Sequence, residues 1–263
     1  MTKTIFTTLM TTGMLALVTP ALAQEAQPAA PVQSADPAQS AQPAPSAQPA
    51  QQAAPAAGQM TPEQISAFNK AVADFTAAQQ LQQSGDNAGA LAKYEGALPA
   101  VRAAVKAQPE NKDYKNFLAN ALYATAAAQA ATQKFDAAIS SYQEAVPLWR
   151  EIVAANPAEA NNRNVLAGML VQLGNKQLTA QDKAGASPLY KEATDLARKS
   201  VEAAPSDPVN KNLLLSALIG LSQTSSDKAV MDETLAMGKK MMAEGSIDAV
   251  NKPSIEIMTG QKG

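Results

Sequence analysis

One spacing governs what this chain can become. Ala90, Ala138 and Ala186 recur every 48 residues, as do Tyr94, Tyr142 and Tyr190, then Ala97, Ala145 and Ala193, then Val105, Val153 and Val201; Pro109, Pro157, Pro205 and Pro253 keep the same step. A second phrase holds that phase: Lys115-Asn116-Phe117-Leu118, Arg163-Asn164-Val165-Leu166 and Lys211-Asn212-Leu213-Leu214, each with a further leucine four residues on at Leu122, Leu170 or Leu218. Self-similarity at a fixed period of this size signals stacked supersecondary units, because one unit cannot bury its apolar face alone.

Each unit predicts two antiparallel helices. After the proline, Val165, Leu166, Met169, Leu170 and Leu173 fall at helical spacing, and the polar stretch Thr179-Ala180-Gln181-Asp182 breaks the pattern before a second helix. Thr61-Pro62-Glu63-Gln64 reads as the first helix start, with threonine as cap, proline in the first turn and a carboxylate near the positive helix end. The methyl side chains of Ala90 and Ala97, and of their repeats, let neighbouring helices approach closely, while the tyrosine between them fills the groove between successive units. Pro99 and Pro147 fall inside second helices, where Asp195 stands later, and predict kinks there; the alternative is that each second helix ends at its proline and a third begins. Aromatics make up only 4% of the chain and alanine supplies much of its 46% hydrophobic fraction, which favours packed helices over a sheet. The expected class is all-α, with repeats near 62–109, 110–157, 158–205 and 206–253 of a helical domain spanning 61–263.

Leu170-x-x-Leu173-Gly174-x-x-Gln177, followed by Ala186-x-x-x-Tyr190-x-x-Ala193, resembles the tetratricopeptide pattern. The likeness covers about residues 65 to 245. It departs from the family where leucine replaces Trp, where Gln177 replaces an aromatic, where Ala126 takes the Gly174 position, and after Ser225, where Thr234 and Gly238 replace Ala186 and Tyr190. The period also exceeds the family's usual length of about 34, and the surplus is placed in longer helices. What the resemblance implies is a right-handed α-solenoid whose concave surface, lined by first helices, holds a peptide or another protein.

The chain contains no histidine and no cysteine. That removes Ser-His-Asp and Cys-His nucleophile systems, thiolate zinc sites, imidazole metal centres and disulfides. A formal charge of -2 gives no electrostatic footprint for nucleic acid. We therefore expect no enzyme activity, no cofactor, no metal and no nucleic-acid partner. A hydrolase working through Glu144 and Glu151 is the remaining catalytic alternative, disfavoured because the two lie about seven residues apart on an exposed face with no sign of a pocket.

Residues 1–23 resemble a secretory signal peptide, with Lys3, an apolar stretch from Ile5 to Val18 and Ala21-x-Ala23 before Gln24. Export is the expected consequence, with the periplasm preferred over secretion and no stable membrane insertion after cleavage. Residues 24–60 repeat Ala, Gln, Pro and Ser, with Pro28, Pro31, Pro37, Pro43, Pro45, Pro49 and Pro55; such a tract predicts a disordered linker.

Tracing one face of the first helices gives Asn116, Asn120, Tyr123 and Ala127; then Asn164, Gly168, Val171 and Asn175; then Asn212, Ser216, Ile219 and Gln223. Carboxamides donate and accept at once, so this stripe is the candidate surface for an extended chain, the alternative being that the asparagines bridge adjacent helices. Lys115, Arg163 and Lys211 form a basic row that would clamp an acidic segment or lie as a solvated face. Trp149, with Val101 and Ala197 as repeat mates, is expected to fill a gap between units, and Met231, Met237, Met241, Met242 and Met258 to fill the end of the stack. The expected function is a non-catalytic interaction scaffold of the cell envelope, with a structural spacer as the alternative.

Overall fold

The computed structural model describes residues 58–260. The leader at 1–23, and the tract after it as far as residue 57, lie outside the described residues. The last residue assigned to that tract, Met60, is buried beside the first helix, so packing starts one residue earlier than expected.

Among the described residues nine helices follow one another, α1 (Pro62–Gln83), α2 (Asn87–Ala107), α3 (Lys112–Ala131), α4 (Phe135–Ala155), α5 (Ala160–Thr179), α6 (Lys183–Ala203), α7 (Pro208–Thr224), α8 (Lys228–Ala243) and α9 (Lys252–Met258), and no strand occurs. They pack as hairpins, α1 on α2, α3 on α4, α5 on α6 and α7 on α8, and each hairpin rests on the next through α2–α3, α4–α5, α6–α7 and α5–α7. The result is an all-α, solenoid-like stack. The 48-residue step is visible in the helix starts at Lys112, Ala160 and Pro208, and again at Asn87, Phe135 and Lys183. Only three residues, 84–86, 132–134 or 180–182, separate the two helices of the first three hairpins. The length of a unit therefore resides in its helices.

Local chemistry explains where the helices begin and end. Thr61 accepts from the Gln64 amide at 3.2 Å while the Gln64 side chain accepts from the Thr61 amide at 2.9 Å, a reciprocal cap that satisfies two otherwise orphaned donors. At the far end of α1, α3 and α5 the chain reverses through Gly85, Gln133 and Gln181, with φ of 88°, 63° and 63°. In each turn the next amide, of Asp86, Lys134 or Asp182, returns to a carbonyl five residues back, at 2.9, 2.8 and 2.9 Å. Asp86 and Asp182 then cap α2 and α6 by accepting from Gly89 and Gly185 at 2.8 Å. A Cβ on either glycine would collide with the capping carboxylate. In α4 the cap is Lys134, which makes no such bond, and the matching position is Ala137.

The recurring small residues lie where helices touch. Ala90, Ala138, Ala186, Ala97, Ala145 and Ala193 are all buried, and so are the three tyrosines between them. Tyr190 shows why: its ring lies against Gly174 of α5 and Gly220 of α7, where a Cβ would strike it, so it fills the groove between successive units. Leu122, Leu170 and Leu218 are fully buried, each contributing about 1.5–3 kcal/mol. Pro99 and Pro147 sit inside unbroken helices, α2 and α4, as Pro188 does in α6; the alternative of a third helix in the first two units is overturned, because the flanking apolar face keeps the helix folded despite the lost donor.

The two ends of the stack are closed differently. Between α1 and α3, Phe68, Phe75, Tyr114 and Phe117 form a ring cluster with centroids 4.7 to 5.6 Å apart. At the other end Gly238 stands where the tyrosine would be, and Ile255 of α9 occupies the space. Met237, Met241, Met242 and Met258 gather around Ile255 and Ile219, as expected for methionines closing the stack, while Met231 is not part of that cluster.

Candidate partner-binding faces

The predicted amide stripe divides along its length. In α3, Asn116 is exposed and Asn120 half-buried, the latter donating to the Asn116 carbonyl at 2.9 Å. Tyr123 is half-buried against Trp149 and Tyr142, at 6.1 and 6.3 Å. In α5 and α7 the amides are used internally. Asn164 donates to Asn210 at 2.7 Å, Asn175 accepts the Tyr190 hydroxyl at 2.7 Å, and Gln223 donates to the Ile219 carbonyl at 3.3 Å. Asn212 donates to the Pro208 and Ser246 carbonyls, both at 2.9 Å, and accepts from the Asp248 amide at 2.9 Å, which fastens the segment after α8. Val171 and Ile219 are each only 6% exposed. They serve the core and offer no contact surface.

The reason is one of angle. A shift of one residue turns a helix by about 100°, since there are about 3.6 residues per turn. In the stripe through Asn164, Gly168, Val171 and Asn175 only Val171 is fully buried and the other three are half-buried, as are Val165 and Gln172 on the neighbouring line of α5, whose one exposed member is Asn161. Beside that stripe the Ser200 carbonyl accepts from Asn210 at 3.1 Å, which turns the Asn210 oxygen toward Asn164. The Asn164 Oδ1 is consequently buried without a donor among the described residues.

The basic row is broken by the fold. Lys115 pairs with Glu151 at 3.2 Å and Lys211 is half-buried. Arg163 is 4% exposed; its guanidinium donates to the Pro157 carbonyl, to Ser200 Oγ at 3.2 Å and to the Lys199 carbonyl at 3.5 Å. It satisfies carbonyls where two helix ends meet, and the three cations do not share a surface. Trp149 fills its gap as expected, 2% exposed with its indole donating to the Ala119 carbonyl at 3.1 Å.

A different series does keep the period. Arg102 of α2 holds Glu144 of α4 through two bonds of 2.8 and 2.7 Å, Arg150 of α4 holds Glu192 of α6 at 2.9 and 2.7 Å, and Arg198 of α6 holds Glu233 of α8 at 2.7 and 2.6 Å. The first two pairs engage Nε and one terminal nitrogen, the third both terminal nitrogens, its glutamate standing 35 rather than 42 residues after the arginine. These bonds raise all three guanidinium pKa values further. The signal is present in the sequence, as arginines 48 apart. Glu144 and Glu151 are thus both engaged in ion pairs, with Arg102 and Lys115.

Between α4, α5 and α6 lies an open groove of about 350 Å³. Among the described residues no group of three or more carboxylates comes together in a way that could hold a metal ion, and no helix is long and apolar enough to cross a membrane. No protein-family model matches the sequence, and no curated protein matches it.

Proposed function

We propose that this protein is a tetratricopeptide-like, right-handed helical-repeat scaffold, non-catalytic and without cofactor, that binds another protein or a peptide in the cell envelope. Its leader at 1–23 would direct export to the periplasm and its Ala/Pro/Gln-rich tract at 24–60 would space the repeat domain. The observation that supports the reading most is the in-phase stack of hairpins, in which each first helix is followed by its repeat mate one unit on, with Asn116 exposed and Asn120 and Gln172 half-buried on α3 and α5. Amides on successive first helices suit the backbone of an extended chain.

The test replaces Asn116, Asn120 and Gln172 together with alanine and compares, by mass spectrometry, what crosslinks to each form in its native envelope. A scaffold loses a defined partner while its thermal unfolding is unchanged. An identical crosslinked set would leave the spacer reading, and recovery of the chain only from the cytoplasm would remove the export assignment.

A further inference from the structure

We propose that the half-buried methionines of the C-terminal cap, Met237, Met242 and Met258, form an oxidation site: a peroxide converts their thioethers to sulfoxides and thereby releases α9 from the end of the stack. This goes beyond the scaffold reading and does not depend on it. The chain has no cysteine, so all its sulfur is thioether. Seven methionines lie among the described residues, and four of them, Met237, Met241, Met242 and Met258, gather around Ile255 and Ile219. The opposite end of the stack is closed by Phe68, Phe75, Tyr114 and Phe117, rings that a peroxide leaves intact.

What the cap holds is short. α9 has seven residues, and isolated helices below about 12–15 residues are marginal in water, so its form comes from packing. Ile255 is fully buried in the space over Gly238, with Met258, Met237, Met242 and Ile247 packed around the same cluster. Ahead of the helix, Asn251 donates to the Asn212 carbonyl at 2.9 Å and accepts the Ser216 hydroxyl at 2.8 Å. Oxidation leaves those amide bonds in place and strikes the apolar grip that follows them. Met237 also belongs to the neighbouring group of Ala197, Leu214 and Leu218, so it stands where α6, α7, α8 and the cap meet.

The sulfurs differ in access. Met237 and Met241 line an open hollow of about 120 Å³ between α6, α7 and α8, several times the roughly 30 Å³ that one water occupies in the liquid, so a small peroxide enters it. Met237, Met242 and Met258 are half-buried, whereas Met241 and Met169 are 2% and 1% exposed. In the reaction a sulfur lone pair attacks one oxygen of hydrogen peroxide. The O–O bond breaks and an S–O bond forms; the other oxygen leaves as hydroxide and takes the proton of the transferred one to become water. Sulfur is oxidised by two electrons and the peroxide reduced by two. The product is a polar acceptor among Leu215, Ile219 and Ile255, where a polar group without a donor is unfavourable. The favoured state becomes one in which the sulfoxides reach water and α9 comes away from α7 and α8. Sulfoxide reductases restore the thioether, which makes the release reversible.

The test treats the full chain with hydrogen peroxide. Peptide mass spectrometry follows oxygen uptake at each methionine, and hydrogen exchange follows the amides of α9. Met237, Met242 and Met258 should gain oxygen before Met169 and Met241, and exchange in α9 should rise about tenfold while that of α3 is unchanged. The variant carrying Met237→Leu, Met242→Leu and Met258→Leu keeps the apolar volume and should hold α9 protected after the same treatment. Met231→Leu, altered on α8 but outside the cluster, should loosen as the parent chain does. Unchanged exchange in α9 once the three sulfurs are oxidised overturns the proposal, and so does equal loosening in the triple variant. Should the triple variant fail to fold, the time course in the parent chain decides: a rise in α9 exchange in step with the three sulfurs supports the site, and a rise in step with Met231 instead overturns it.

Discussion

Two junctions in the stack do the same work with opposite materials. Where α1 meets α3, four aromatic rings separate the helices, and the core is built by filling space. Where α5 meets α7, glycines bring the helices together around one tyrosine, and an amide pair joins them near the opposite end. The first junction relies on bulk. The second relies on shape, since the Tyr190 ring is held between Gly174 and Gly220 with no room for a methyl on either. A single repeat pattern therefore accommodates two kinds of packing, provided the hairpin turns keep the phase.

The contrast can be broken at either junction. Phe117→Ala should have the largest effect, about 4 kcal/mol, because the cavity would open between two other rings; urea unfolding followed by circular dichroism would show the N-terminal units melting first, as independent stability of repeats allows. Gly220→Ala should cost about 3 kcal/mol through overpacking, whereas Gly168→Ala, with open space around its Cβ, should gain about 0.5–1 kcal/mol from helix propensity. Equal effects at the two glycines would refute the shape argument.

Alkali probes both junctions together. Burial pushes the Tyr94 hydroxyl up to about 12 and raises those of Tyr142 and Tyr190 as well. An acid whose folded pKa lies above its unfolded value of about 10 supports the fold fully below pH 10 and loses that support as pH rises toward the folded value. Tyrosinate absorbance should thus appear together with loss of helix above pH 10, and Tyr94→Phe should move the transition upward. The smallest effect concerns the turns: Gln133→Gly and Gln181→Gly should each add up to about 1 kcal/mol by removing side-chain strain at positive φ, measurable as a rise in the midpoint of thermal unfolding.

The phase of the stack was legible because it depends on residue size: Ala90, Tyr94 and Ala97 and their repeats announce their packing through volume alone. The Thr61 cap was legible for the same local reason. The candidate face was not. Choosing Asn164 and Val171 over Asn161 and Val165 is a matter of about 100° of helix rotation, and each line reads as amide mixed with apolar. Arg163 gave no sign of burial, since its partners are two carbonyls, which every residue possesses, and one serine hydroxyl distant in sequence. Gly220 lies outside the repeat register, being matched by Gln172 and Ala124, so its contact with Tyr190 had no periodic signal.

The arginine–glutamate rungs that join α2 to α4, α4 to α6 and α6 to α8 tie one edge of the stack at regular intervals. Charge pairs this exposed are weakened by dissolved ions, the screening length being about 8 Å at physiological strength. That edge is consequently the part of the stack whose attachment weakens as salt concentration rises. Salt should therefore loosen that edge by no more than about 1 kcal/mol per rung, well short of what unwinding a helix requires.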